Sequence, residues 1–176
     1  MPRYYRRTRR SYKKQRYSNE TSIFNIVSHL DANQAPTYPT FNNKIGYSLV
    51  PSTTVQGTRK VKNMTLSISA SSLATPMVGA VVYVPAGTNC STIAHPAANG
   101  DPASLYEPNQ NVIQQFVLNP VEADSLVNTT VQRFRTRLAR NLESGDEIRL
   151  VLSPLYASDS AYDAKVSGSF NYAIAY

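Results

Sequence analysis

The segment Asn63–Ala70 alternates without a break: Met64, Leu66, Ile68 and Ala70 on one side, Asn63, Thr65, Ser67 and Ser69 on the other. A period of two marks an extended strand with one buried and one polar face. The pattern recurs at Val131–Leu138, with Phe134, Thr136 and Leu138 opposite Arg133, Arg135 and Arg137. It returns at Glu147–Leu152, with Ile148, Leu150 and Leu152 inward, and at Val166–Tyr176, with Val166, Phe170, Tyr172, Ile174 and Tyr176 on one side. No segment carries a sustained helical stripe. Leu126–Arg140 is long enough for a helix, but a helix would scatter its arginines, so it reads as a strand.

A more permissive count gives eight strands, near 21–30, 43–50, 58–70, 77–85, 111–118, 126–140, 146–153 and 165–176. Turn formers separate them, among them Pro51, Pro76, Pro85 with Gly87, Asn99-Gly100-Asp101-Pro102 and Ser144-Gly145-Asp146. Eight antiparallel strands in one domain predict an all-β, two-sheet sandwich or jelly roll. The stretch Pro85–Asn111 has no pattern of its own, and a loop that long is usually functional or lies between chains. Tyr106, beside Pro108, is the side chain in it best suited to fill a partner's pocket. No fixed-period repeat supports a propeller or solenoid.

Charge divides the chain. Of 18 Lys and Arg, eight fall within residues 1–17: Arg3, Arg6, Arg7, Arg9, Arg10, Lys13, Lys14 and Arg16, with no acid among them. The remaining ten face all eleven Asp and Glu, so a +8 arm is joined to a domain of −1. With no aliphatic residue after Met1 and eight like charges, the arm is expected to stay disordered until a polyanion screens it. The division predicts an arm at 1–19 and a folded domain at 20–176.

The apolar stretches, all under ten residues, are too short for a membrane helix. MPRYYRRTRR has no apolar core and does not read as a secretory signal. One cysteine, Cys90, forms no disulfide framework and no multi-cysteine zinc site. His29 and His95 are too far apart to suggest a metal centre, and no cofactor is implied. Cys90 and His95 lie five apart in a Pro/Ala-rich loop, with nothing that requires them to meet. His29 reads as structural. Glu143, Asp146 and Glu147 read as a solvated corner between two strands rather than as acid/base machinery. Nucleophile elbows, phosphate-cradling glycine loops and zinc-protease motifs are all missing, so an enzyme is not expected. The four Asn-x-Ser/Thr sequons read as accidents of a Ser/Thr/Asn-rich chain.

The arm carries the strongest functional signal. Guanidinium groups fork onto phosphate oxygens, and their weak hydration lowers the cost of contact. Tyr4, Tyr5, Tyr12 and Tyr17 are interleaved with the cations and suited to stack on unpaired bases. Together they predict sequence-independent binding of single-stranded nucleic acid; a nuclear-localisation signal or a polybasic membrane contact are the other readings. A second cluster, Arg59, Lys60 and Lys62, enters the third strand. A third, Arg133, Arg135, Arg137 and Arg140, lines one strand face. Like charges side by side need something opposite them. Glu122 and Asp124 in solvent, a partner chain, or nucleic acid would each serve.

An Arg/Tyr-rich terminus, MPRYYRRTRRSYKKQRY, followed by a Trp-free eight-strand domain, resembles the capsid proteins of small circular single-stranded DNA viruses, the circovirus-like group. The last strand, Gly168-Ser-Phe-Asn-Tyr-Ala-Ile-Ala-Tyr, is similar to the closing strand of a viral jelly roll. The resemblance implies a single eight-stranded antiparallel jelly roll with a disordered arm, and self-assembly into a small icosahedral shell of about 60 copies (T=1). It further implies packaging of single-stranded DNA by the arm, and residence in the virion and, during assembly, the host nucleus. Nuclear import machinery and a cell-surface receptor are the implied host partners. The chain is shorter, and its arm less arginine-dense, than in that family. A satellite-virus-like capsid around single-stranded RNA is therefore an alternative, as is a non-viral single-strand-binding protein. A five-stranded OB barrel fits less well, since its basic and aromatic residues would lie on the sheet.

Overall fold

The strands that the alternation predicts pair into two sheets. In this computed structural model the described residues are 16–30, 45–88, 112–119, 131–154 and 161–176. They contain β1 (Ser18–Leu30), β2 (Ile45–Val50), β3 (Arg59–Ser72), β4 (Met77–Val84), β5 (Val112–Leu118), β6 (Gln132–Thr136), β7 (Arg140–Leu142), β8 (Glu147–Pro154) and β9 (Tyr162–Ala175). One sheet has the order β1-β9-β3-β6, with β7 continuing beyond β6 along β3; the other has the order β2-β8-β4-β5. Every pairing is antiparallel. With β6 and β7 counted as one interrupted strand, the pairs nest: first with last, second with second-last, third with sixth, fourth with fifth. A long hairpin rolled onto itself pairs in this way, and that nesting defines a jelly roll. The fold class is as the sequence predicts.

The predicted sixth strand is broken. Arg137–Ala139 leave the ladder, so the arginine strand becomes β6 and β7, and the described residues hold nine strands where eight are expected. β1 begins at Ser18, slightly before the boundary predicted at residue 20.

The core fills the space between the sheets, where Met64, Leu66, Ile68, Leu150, Leu152, Phe170 and Ile174 are buried. Aromatic pairs close its two lateral edges. Phe24 of β1 meets Tyr47 of β2 with ring centroids 5.5 Å apart, and Phe116 of β5 stacks on Phe134 of β6 at 4.8 Å. Each pair joins one sheet to the other, where a gap would otherwise admit water. Gly79 sits in register with Phe116, and a Cβ there would run into its ring, so the missing side chain is what lets the aromatic lie over β4.

Three details depart from the alternation. Tyr176 and Leu138, expected on inward faces, are exposed, because β9 ends at Ala175 and Leu138 lies in the break between β6 and β7. Phe134 is half-buried, its strand being an edge strand. β4, MVGAVVYV, is buried on both faces: Met77 and Val81 join the inter-sheet core, while Val78, Ala80, Val82 and Val84 form a second apolar cluster with Val151. The near-continuous apolar run is the signature of a doubly buried strand.

Candidate nucleic-acid interface

A bulge in β3 decides which basic side chains face outward. From Lys62 to Thr65 the chain advances three residues while its partner β9 advances two, from Ala173 to Asn171. Asn63 takes up the extra residue in a left-handed conformation, φ 53°, which Asn tolerates better than most side chains. Before the bulge the odd residues Arg59 and Val61 point inward; after it the even residues Met64, Leu66 and Ile68 do. Lys60 and Lys62 are thereby turned out of the core, although Lys62 shares the parity of Met64. Each inserted residue reverses the faces of everything beyond it.

The predicted basic clusters are divided by this geometry. Lys60 and Lys62 lie on the outer face of the β1-β9-β3-β6 sheet. Arg133 and Arg135 of β6 lie on the same face, opposite Ser67 and Thr65, and Arg137 is exposed just past the strand. Arg59 does not join them. It is 6% exposed and donates to the Pro51 carbonyl at 2.9 Å and the Asp146 carbonyl at 3.0 Å, tying the β2–β3 loop to the start of β8. Arg140 also departs from its predicted face. Its even position puts it with Phe134 and Thr136 rather than with Arg133 and Arg135, so it pairs with inward-facing Val61 and is half-buried. Arg59 thus ties two parts of the domain together instead of joining the outward cations.

At the arm's root, Arg16 is exposed and Tyr17 lies beneath the Lys62 ammonium, whose nitrogen is 3.4 Å from the ring centroid. This cation–π contact fixes the junction between arm and domain on the outer sheet face. Arg3, Arg6, Arg7, Arg9, Arg10, Lys13, Lys14, Tyr4, Tyr5 and Tyr12 lie outside the described residues, as do Cys90, His95, Tyr106, Glu122 and Asp124.

The acidic cluster is a corner between two strands, as its sequence suggests, but of its acids only Glu143 is solvated there. Asp146 is 5% exposed and accepts from Tyr83 Oη at 2.6 Å, the Glu143 amide at 2.8 Å and the Ala86 amide at 2.9 Å. Burial alone would raise this carboxyl. The three hydrogen bonds, with the Arg59 guanidinium nearby, outweigh it and hold the group below its ordinary value of 3.8. Burial and the bond to Asp146 push the Tyr83 hydroxyl up to about 12. Gly145, at φ 90°, makes the turn, and its amide reaches the Thr53 carbonyl at 2.9 Å. The signal was the Ser-Gly-Asp triplet, in which Gly sets the turn and Asp caps it. Glu147 instead accepts from Ser48 Oγ at 3.0 Å and lies 3.4 Å from Arg149. His29 closes β1 on the outer face, its Nδ1 2.8 Å from Asp163 Oδ1.

No family model and no curated protein matches the sequence. Solved structures do. The cyanophage Pam1 capsid asymmetric unit aligns over 98% of this chain and 99% of its own, at 14% identity and TM-score 0.38. The 60-mer BFDV capsid protein aligns over 93% and 95%, at 9% identity and TM-score 0.36. Eiger TNF from S. frugiperda aligns over 91% and 92%, at 10% identity and TM-score 0.34. The chain spans about a third of the infectious bursal disease virus chains it matches, 32% and 33% of their length. The jelly-roll assignment rests on the strand order rather than on these alignments.

Proposed function

We propose that this chain is a viral capsid protein that assembles into a closed shell and packages single-stranded nucleic acid, DNA in the first instance, through its N-terminal arm. The observation that carries the reading is the partition of charge: +8 in residues 1–17 against −1 in a jelly-roll domain. A binding module that works alone would place its cations on the fold. Cations gathered on an arm outside it suit a wall-forming domain with a polyanion on one side. In a shell of about 60 chains the arms would bring roughly 480 positive charges into one interior, which only a polyanion can offset. Assembly is therefore coupled to nucleic acid. By the same reasoning the protein resides in the virion, and the arm doubles as a nuclear-import signal.

The test is particle mass. Sedimentation and electron microscopy of the purified full chain are expected to give uniform closed particles. A monomer or small oligomer at every salt and protein concentration would contradict the reading.

A further inference from the structure

We infer that the outer face of the β1-β9-β3-β6 sheet is itself a binding surface for single-stranded nucleic acid, receiving the strand from the arm's root; this rests on the packaging reading above. Charge is the first reason. The strands of this sheet carry two acids. Glu20 is engaged by the Tyr172 hydroxyl at 2.8 Å, and Asp163 is held by His29 at the opposite end of β9 from Lys60. Among the described residues, Lys60, Lys62, Arg133 and Arg135 therefore share a surface with no acid between them. Arg133 and Arg135 form no ion pair or hydrogen bond with any described residue.

The floor between these cations is the second reason. Ser67 and Ser69 of β3 pair with Ser169 and Ser167 of β9, and the buried Thr65 pairs with exposed Asn171, so two adjacent central strands carry a patch of short hydroxyls ending in an amide. Short neutral donors let a phosphate–sugar backbone lie close to the sheet while the longer Lys and Arg side chains reach it from the rim. Residues two apart on a strand stand about 6.6 Å apart. The pairs Lys60/Lys62 and Arg133/Arg135 thus repeat at a spacing comparable to successive phosphates of an extended strand. Placement is the third reason. The Tyr17–Lys62 contact sets the arm's root at the basic end of this face, so a strand leaving the arm meets the sheet without a gap.

The test uses the full chain with its arm intact and an oligothymidylate single strand as probe. In one variant Lys60→Gln, Lys62→Gln, Arg133→Gln and Arg135→Gln are combined; in another, Ser169→Asp alone puts a negative charge on the floor. Each phosphate contact on a single strand contributes about 0.7 to the slope of log K against log salt, so the first variant is expected to flatten that slope by about 3. Ser169→Asp is expected to weaken binding most at low salt, and both proteins should melt with the wild type. An unchanged slope in a folded quadruple variant, while the wild type binds, overturns the sheet face and leaves the arm reading standing. An unchanged slope with altered particle formation also overturns it, assigning the face to a contact between copies. Failure of the wild type to bind the strand would overturn both.

Discussion

The ring of Phe116 stacks on that of Phe134 at 4.8 Å and 23°, joining the two sheets at the edge where β5 faces β6. Phe116 is buried and Phe134 half-buried, so the two halves of one contact have unequal weight. Phe116→Ala is expected to destabilise the domain by about 3–5 kcal/mol and Phe134→Ala by about 2–3 kcal/mol. A double-mutant cycle should recover about 0.5–1.5 kcal/mol of coupling. Arg135→Ser, one residue along and outward, should cost under about 0.5 kcal/mol. Denaturant melts check the order; an arginine change costlier than the phenylalanine changes would place the strand in the wrong register.

Gly79 gives a steric test of the same edge. Gly79→Ala puts a methyl group against the Phe116 ring and close to Leu152 Cδ2, at 2.8 Å. Overpacking of this kind costs about 1–3 kcal/mol. Pairing Gly79→Ala with Phe116→Leu should restore part of the loss, measured as a rise in melting temperature over Gly79→Ala alone.

The Asp146 corner predicts how stability changes with pH. Its folded pKa lies below the ordinary 3.8, so the unfolded chain binds the proton more readily. The stabilisation is fully present above the ordinary value and is lost as pH falls through it toward the lower folded value. Asp146→Asn should lower stability near neutral pH by about 2–3 kcal/mol and flatten this acid dependence. On the alkaline side, Tyr83 is raised to about 12, so its contribution is full below the ordinary 10.0 and is lost as pH climbs toward 12. Thermal melts of Asp146→Asn and Tyr83→Phe across both limits check the two signs.

Much of this architecture is legible in the sequence because period two survives wherever a strand has one wet face. Met64, Leu66 and Ile68, and likewise Ile148, Leu150 and Leu152, point where the alternation places them. What is not legible depends on single-residue slips and on burial of the second face. The bulge at Asn63 turns Lys62 outward with no Gly or Pro to mark it, whereas the inward turn of Arg140 was legible, since its even position puts it with Phe134 and Thr136. Arg59 reads as one of three adjacent cations until its carbonyl acceptors are seen. The outer floor of Thr65, Ser67 and Ser69 was visible as the polar half of the alternation. Its pairing with Ser167, Ser169 and Asn171 depends on long-range register, which local pattern does not carry.

The central claim, that the arm packages nucleic acid into a shell built by the jelly roll, is tested most directly by nuclease-protected nucleic acid per particle. The measurement compares the wild type with a full-length variant in which the eight cations of residues 1–17 are changed to Gln. Eight single-strand contacts correspond to a salt slope of roughly −5 to −6, so losing them should abolish retention at physiological salt. The expected result is filled particles from the wild type, and empty or unassembled but folded protein from the variant. Variant particles with the wild-type content of protected nucleic acid would contradict it.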